Sequence, residues 1–431
     1  MTPEVVGTWI LIGGFLVLIA IRVPIVFAVG ISTVATFFYL DIPMMMVVTN
    51  IVKGVNSFSL MAIPFFILAG EVMSAGSISE RLFKLAKSLV GQFRGGLAHV
   101  NVLGSMFFGG ISGSPVADVS SLGVIEIPIM EKDGYDLDFS AGITMASSVE
   151  GLLIPPSHNM IIYAMAAGSV SIAKLFLAGM IPGILLGLFL MIFCYIVSVK
   201  RNYPKGDRFS FKVMVTALVD SFFGICTVII IMVGVLTGLF TATESAAIAV
   251  VWATLVTFVI YRELPVKEIW NILDRALGTL SIIMVIMGVS SAFGWLLAYL
   301  KVPEMIINGI LGFTSNRILI LILINIILLF LGMIMDMSSI IIITTPILLP
   351  IAVSIGMDPI QFGVMMILNL GIGLITPPVG AVLFVTSGIT GLKIERLAKC
   401  MLPFYAVMVG ALLAITYIPA ISMAVPNWLY P

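Results

Sequence analysis

The sequence predicts an all-α integral membrane protein built from two inverted-topology repeats, each with five membrane crossings and one re-entrant helical hairpin. Three observations predict it. First, 61% of the 431 residues are hydrophobic and only 10% are charged, with a mean hydropathy of +1.22; a water-soluble globule carries charges on about a quarter of its residues. Second, Gly151-Leu-Leu-Ile-Pro155-Pro156 returns as Gly373-Leu-Ile-Thr-Pro377-Pro378, each double proline starting 21 residues after a glycine (Gly134, Gly356). Nearly the same offset pairs Asp118 with Asp336, Ile172 with Ile394, Lys174 with Arg396 and Pro182 with Pro403, the mark of an internal repeat. Third, the basic residues gather on one side once the chain is threaded through a bilayer.

The apolar runs are long and continuous rather than alternating, so the spans are helical and not strands of a barrel. A formal net charge of +0 offers nothing to nucleic acid. Cys194, Cys226 and Cys400 sit in apolar stretches without a CxxC and read as packing residues. The start, Met1-Thr-Pro-Glu4, lacks the basic region and cleavage site of a signal peptide, so the first apolar run is expected to remain as a span. No Walker A, HExxH, GxSxG or dinucleotide fingerprint occurs. The sequence therefore supports neither ATP-driven transport by this chain alone nor an enzyme.

The first repeat (1–200) is expected to hold scaffold helices within 1–94, with spans near 5–21, 24–40 and 58–76. A hairpin (95–132), a broken helix (138–168) and a helix (174–199) follow. A linker (201–213) rich in Lys, Arg and Pro joins the repeats. The second repeat (214–431) holds scaffold helices within 214–312, with spans near 214–240, 243–262 and 272–299. It ends in a hairpin (316–353), a broken helix (359–388) and a helix (396–420). In the first hairpin an arm at 97–111 runs into Ser112-Gly-Ser-Pro-Val-Ala-Asp118 and returns over 119–130. Twelve helical residues reach about 18 Å, short of the roughly 30 Å hydrocarbon core, so the pair is drawn as re-entrant. Ile318–Met335, Asp336-Met-Ser-Ser339 and Ile340–Ile351 have longer arms and are drawn as a hairpin by analogy.

With the N-terminus outside and five crossings per half, only Lys53, Lys174, Lys301 and Arg317 of the 21 Lys and Arg fall outside. That is the positive-inside bias of a correct topology. Five is odd, so the second repeat enters from the opposite side: the first hairpin opens from the cytoplasm, the second from outside, and both termini lie outside. Ser79–Phe93, with Arg81, Lys84 and Lys87 at helical spacing, reads as an amphipathic helix in the interface.

Unwound backbone at membrane depth is tolerated only where it is buried or lines a cavity. Four places here would unwind: the two hairpin tips and the two double-proline breaks. Proline has no N–H for the carbonyl four residues back, which frees those of Gly151, Leu152, Gly373 and Leu374. Such carbonyls, with hydroxyls, suit a small hard cation, and helix N-termini at the same breaks suit an anion. The first candidate Na⁺ site is Ser112, Gly113 and Ser114 with Gly151, Ile154 and Pro155. The second is Asp336, Ser338 and Ser339 with Gly373 and Thr376. Pro156, Ser157, His158 and Asn159, with Pro377 and Pro378, are the candidate substrate residues. The competing reading, two kinks repaired by neighbouring helices, explains less well why both repeats carry the break at equal spacing.

Intramembrane acids are functional candidates. Asp118 either takes a cap or buried hydrogen bond or touches a cation. Glu150 has no acidic counterpart in the second repeat and is a candidate for substrate selectivity or proton sensing. Glu244, in Thr241-Ala-Thr-Glu-Ser, reads as a capping residue. His99 and His158 stand alone and Met44-Met-Met46 has no His or Cys beside it, so no metal other than Na⁺ is expected.

The chain resembles the large membrane subunit of TRAP (tripartite ATP-independent periplasmic) transporters, the DctM-like family. The resemblance rests on Phe58-Ser-Leu-Met-Ala-Ile-Pro-Phe-Phe-Ile-Leu-Ala-Gly-Glu71, Ser112-Gly-Ser-Pro-Val-Ala-Asp118, Ile154-Pro-Pro-Ser157, the stretch Val170–Gly183, Thr345-Pro-Ile-Leu-Leu-Pro350, Asp358-Pro-Ile-Gln-Phe-Gly363 and Gly373-Leu-Ile-Thr-Pro-Pro-Val-Gly380. It implies Na⁺-coupled, elevator-type uptake of an organic anion across the bacterial inner membrane, with both termini periplasmic. It also implies a periplasmic substrate-binding protein and a small four-span membrane subunit as partners. Pro115, Glu150 and Gly371 depart from the family's usual residues. The alternatives are a self-sufficient Na⁺/dicarboxylate symporter of related fold, which would need neither partner, and a non-transporting membrane assembly factor, which would have no use for two unwound sites.

Overall fold

The computed structural model describes residues 3–430 apart from 22, 57, 169, 207, 303 and 306–315, and for 58, 59 and 111 the backbone only. Arg22 of the charge count, Asp207 of the linker and positions 306–312 of the second scaffold segment lie outside the described residues. Among the described residues all extended structure is helical, apart from a single bridge between Arg94 and Lys205.

The first half runs α1 (Pro3–Ala20), α2 (Ile25–Tyr39), α3 (Met45–Val55), α4 (Ala62–Ala75), α5 (Ile78–Val90), α6 (Gly96–Ser112), α7 (115–132), α8 (Leu137–Leu153), α9 (His158–Ala167) and α10 (Ile172–Lys200). The second half runs α11 (Phe211–Leu236), α12 (Ala242–Ile260), α13 (Glu268–Tyr299), α14 (Arg317–Gly332), α15 (Met337–Ser354), α16 (Pro359–Leu374), α17 (Ala381–Thr390), α18 (Ile394–Tyr417) and α19 (Pro419–Leu429). Each half thus carries the same succession, two hairpin arms, a helix broken at its double proline and a long helix, with α19 added at the end of the second. Both Pro-Pro bonds are cis.

Among the described residues seven helices are long and apolar enough to cross a bilayer, or up to nine if each bent pair counts as one span. The expected span at 24–40 is a 15-residue helix of about 22 Å. That at 58–76 becomes α4, which turns through 73° into α5. Two helices went unforeseen, α3 and α19.

The second arm of the first hairpin corrects the length argument. The helix starts at Pro115, not Val119, because Ser114 caps it and proline occupies its first turn. At 18 residues α7 measures about 27 Å, so its length does not forbid crossing. The reversal is set instead by Gly113, whose φ of +59° ends α6 in the left-handed region. Both arms pack on α8, as α14 and α15 pack on α16.

The broken helices form the centre of the molecule. Every residue from Phe139 to Ser148 and from Gln361 to Leu374 is buried. Phe404 of α18 packs tilted on Phe139 and edge-on against Phe193, with ring centroids 6.0 and 5.0 Å away. Large apolar side chains on α1, α2, α11 and α13 (Trp9, Phe27, Phe38, Phe222, Ile282) point outward, as lipid-facing helices require. Thr241 and Glu244 form the expected reciprocal cap of α12, and Glu71 pairs with Arg275 at 3.2 Å.

At the foot of α8, Asp136 accepts hydrogen bonds from the Tyr203 hydroxyl and Arg201, both at 2.7 Å. The Tyr203 hydroxyl, then Arg201, holds its carboxyl below the usual range. A depressed carboxyl contributes stability above its ordinary pKa and loses it as pH falls through the folded value. Asp136→Asn is therefore expected to cost a few tenths of a kcal/mol at pH 7, given the pair's exposure. The gap between the two melting curves should close below about pH 4; a gap that widens on acidification would refute this.

Candidate functional site

The two hairpin tips and the helices that follow both breaks meet around one cavity of about 210 Å³. Its wall carries the first residues of four helices: Ser114 and Pro115 entering α7, His158 and Asn159 of α9, Asp336 to Ser338 entering α15, and Gly380 and Ala381 entering α17. Among the described residues no Lys or Arg lines it. Each helix start carries about half a positive charge and N–H groups without intrahelical partners. Positive potential there comes from backbone alone, opposed on one side by the Asp336 carboxylate, and uncapped helix starts are the chemistry of an anion site.

The four starts divide into two kinds. At the tips, Ser114 accepts from the Ala117 N–H at 3.4 Å and Asp336 from the Ser339 N–H at 3.2 Å. At the breaks, neither Ser157 nor Gly380 gives a side-chain cap, so the first turns of α9 and α17 keep N–H groups for a ligand. Ser157 Oγ is buried with no partner among the described residues. Tips therefore present oxygen and breaks present N–H.

Asn159 joins these parts. Its amide donates to the Gly113 carbonyl at 3.2 Å, and its Oδ1 accepts from Ser338 Oγ at 3.4 Å. One residue after the first break thus touches both tips. The second tip is bonded to its own break through the N–H groups of Val379 and Gly380, which both donate to the Met333 carbonyl at 3.1 and 3.3 Å. A Cβ on Gly113 would lie 3.0 Å from His158 Nδ1, so that glycine is required by conformation and by space.

The tip geometry corrects one pairing. Asp336 caps α15 as Ser114 caps α7, and these two stand at the same 222-residue offset as Pro155 and Pro377. Asp118 lies one turn inside α7, buried, where Ser105 Oγ donates to it at 3.3 Å. The halves are therefore not alike in charge: serine in the first, aspartate in the second. Glu150 also lies off the cavity. Its carboxylate faces α10, 3.2 Å from where a Cβ on Gly187 would be, and has no partner among the described residues.

Of the remaining candidates, Ser112 and Ser339 stand within the tips but do not line the cavity, and neither do Gly151, Ile154, Pro155, Pro156, Gly373, Pro377 and Pro378. Thr376 donates to the Ile372 carbonyl at 2.6 Å, and its N–H occupies the Gly373 carbonyl at 2.9 Å. Gly373 is thus not the free acceptor that the proline rule suggested, because the chain closes one more turn before Pro377.

Two sets of residues escaped the sequence reading. In each half a glycine of the first hairpin arm presses on the glycine that opens the break. A Cβ on Gly109 would lie 2.1 Å from Gly151 Cα, and one on Gly373 would lie 2.6 Å from the Gly332 backbone. A polar rung ties the same helices: Ser147 donates to Asn101 at 2.7 Å, and Asn369 donates to Asn325 at 2.8 Å. The available signal was that Asn101 and Asn325, and Ser147 and Asn369, again stand about one repeat apart.

A helical core ringed by outward apolar side chains, with broken helices meeting at a cavity, defines a polytopic membrane transport protein. Residues 12–421 match the tripartite ATP-independent periplasmic transporter, DctM component. The chain is 40% identical over 373 residues to the C4-dicarboxylate TRAP transporter large permease protein DctM of Pseudomonas aeruginosa, covering 86% of this chain and 87% of that one. It is 39% identical over 418 residues to the isethionate TRAP transporter permease protein DctMQ of Oleidesulfovibrio alaskensis, covering 96% of this chain and 65% of that one. In fold it is similar to the Alcanivorax borkumensis YdaH transporter, with a TM-score of 0.65, 14% identity and 100% of both chains covered. The chain belongs to the DctM family, the large permeases of TRAP transporters.

Proposed function

We propose that this permease imports a small organic anion, a carboxylate or sugar acid, in symport with Na⁺ across the bacterial inner membrane, by an elevator movement of its two hairpins and broken helices. The observation that carries the reading is the convergence of four helix starts on a cavity without a basic side chain. A volume of about 210 Å³ lies below the roughly 300–1,000 Å³ usual for drug-sized ligands, which suits a small anion.

The uncapped starts of α9 and α17 would hold the anion, with Ser157, His158 and Asn159 fixing its orientation. Na⁺ would sit behind the tips, on Ser112, Gly113, Ser114, Gly151 and Ile154 in one half and on Asp336, Ser338, Ser339 and Thr376 in the other. Each cation adds positive potential where the anion binds, and by linkage each raises the affinity of the other. Inverted repeats give the two sides of the membrane equivalent routes to one site, both termini being periplasmic. The DctMQ relative's name supports a small membrane subunit as partner, and the family's name supports a periplasmic binding protein that delivers the substrate.

The test is uptake into proteoliposomes containing the small subunit, with binding protein outside, under an inward Na⁺ or K⁺ gradient. Ser112→Ala and Ser339→Ala are each expected to abolish Na⁺ stimulation without changing insertion. Unchanged Na⁺ dependence would sink the ion assignment, and full uptake without binding protein would favour a self-sufficient symporter.

A further inference from the structure

A second cavity, away from the paired tips, has no part in that mechanism. Where α5, the feet of α6 and α7, the linker and the start of α11 meet, the chain encloses a cleft of about 900 Å³. Six cations line it: Lys84 and Lys87 of α5, Lys132 at the end of α7, Lys205 and Arg208 of the linker, and Lys212 in the first turn of α11. Against them stand Asp133 and Asp220. None of the six has an ion-pair partner among the described residues, whereas Arg81, Arg201, Arg275 and Arg396 are all paired. The linker's own acid, Asp207, lies outside the described residues. Six unpaired like charges around one space repel one another, and an anion among them relieves that repulsion.

The cleft is built rather than a chance patch of lysines. The linker is clamped over the turn between α5 and α6: the Gly95 N–H donates to the Pro204 carbonyl at 3.0 Å, and Arg94 donates to Asn202 at 2.8 Å. Backbones meet so closely that a Cβ on Gly206 or Gly96 would lie 2.0 Å from the Gly91 carbonyl oxygen. The backbone at Lys205 is thereby held beside the space, bridged to Arg94.

Its flank is apolar. Leu97 and Ile129 lie on one wall, Phe209 and Val213 on the other, and the exposed apolar face of α11, with Phe211, Val215 and Val219, lies round the helix from Val213. The opening therefore joins clustered cations to a membrane-facing helix just where that helix begins. A free phosphate or an acidic soluble peptide would leave the apolar flank unused; a lipid uses both.

We propose that this cleft binds an anionic phospholipid, its phosphate among Lys84, Lys87 and Lys212 and its acyl chains along α11. The proposal rests on the membrane-permease reading, not on the Na⁺ or substrate assignment. Under the elevator reading the lipid would lie between α5 and α11 of the scaffold and the foot of the moving first hairpin.

The experiment is native mass spectrometry of the full chain in mixed micelles of detergent with phosphatidylglycerol, cardiolipin or phosphatidylcholine. The two anionic lipids should stay bound under activation that strips phosphatidylcholine. Lys84→Ala/Lys87→Ala/Lys212→Ala should lower their occupancy about tenfold. Lys84→Arg/Lys87→Arg/Lys212→Arg should retain it, and so should Lys53→Ala/Lys267→Ala/Lys399→Ala, which removes equal charge elsewhere. Wild-type occupancy in the alanine triple, loss in the arginine triple, equal retention of phosphatidylcholine, or displacement by inorganic phosphate would each overturn the proposal. Uptake does not enter the readout, so failure here is distinguishable from failure of the transport reading.

Discussion

Gly109→Val is expected to destabilise the permease by about 3 kcal/mol or more, the upper end of overpacking costs. The clash is between backbones: the added carbon would lie 2.1 Å from Gly151 Cα, with no side chain able to move aside. Gly373→Val should do the same in the second half. Gly278→Val is the control, since nothing lies within 4 Å of a Cβ there. Thermal unfolding followed by tryptophan fluorescence in detergent would measure this. A midpoint for Gly109→Val within about 2 °C of wild type would mean that the hairpin and break do not touch as described.

Asn159→Leu is expected to cut initial uptake roughly a hundredfold and to lower the melting midpoint, while leaving insertion unchanged. The change keeps volume but removes the bonds to Gly113 and Ser338. Two lost hydrogen bonds, with the Gly113 carbonyl left unpaired, amount to about 3 kcal/mol. The loss falls on the only contact described here that spans both tips through one side chain. Uptake within twofold of wild type would remove Asn159 from the site. Asn159→Asp should be at least as severe as the leucine, since it loses the donor to Gly113 and sets a carboxylate against that carbonyl and the bound anion.

Local chemistry was legible in the sequence. Pro155-Pro156 and Pro377-Pro378 break their helices where expected, Gly113 reverses the first hairpin, and Thr241 with Glu244 caps α12. Each signal works through a residue's own backbone or its immediate neighbours. What failed depended on register or on three-dimensional direction. Asp118 looked like the partner of Asp336 because both are acids near a tip, yet the capping position belongs to Ser114. Glu150 sits at a break, but its place on the helix turns it towards α10 rather than the cavity. The arm at 119–130 looked too short because Ser114-Pro115, a helix-start signal, was read as part of the loop. An amide in an apolar helix carries no local sign of its partner, so the rungs at Asn101 and Asn325 were marked in the sequence only by their spacing of about one repeat.

The glycine contacts bear on how such a chain can change over generations. In most packed cores a larger residue at one position is offset by a smaller one opposite. Gly109 faces Gly151 and Gly332 faces Gly373, and no amino acid is smaller than glycine. Neither member of either pair can give way to the other, so second-site compensation within the pair is closed. Drift at these four positions would require the hairpin and its broken helix to separate first, a remodelling of the site rather than a substitution.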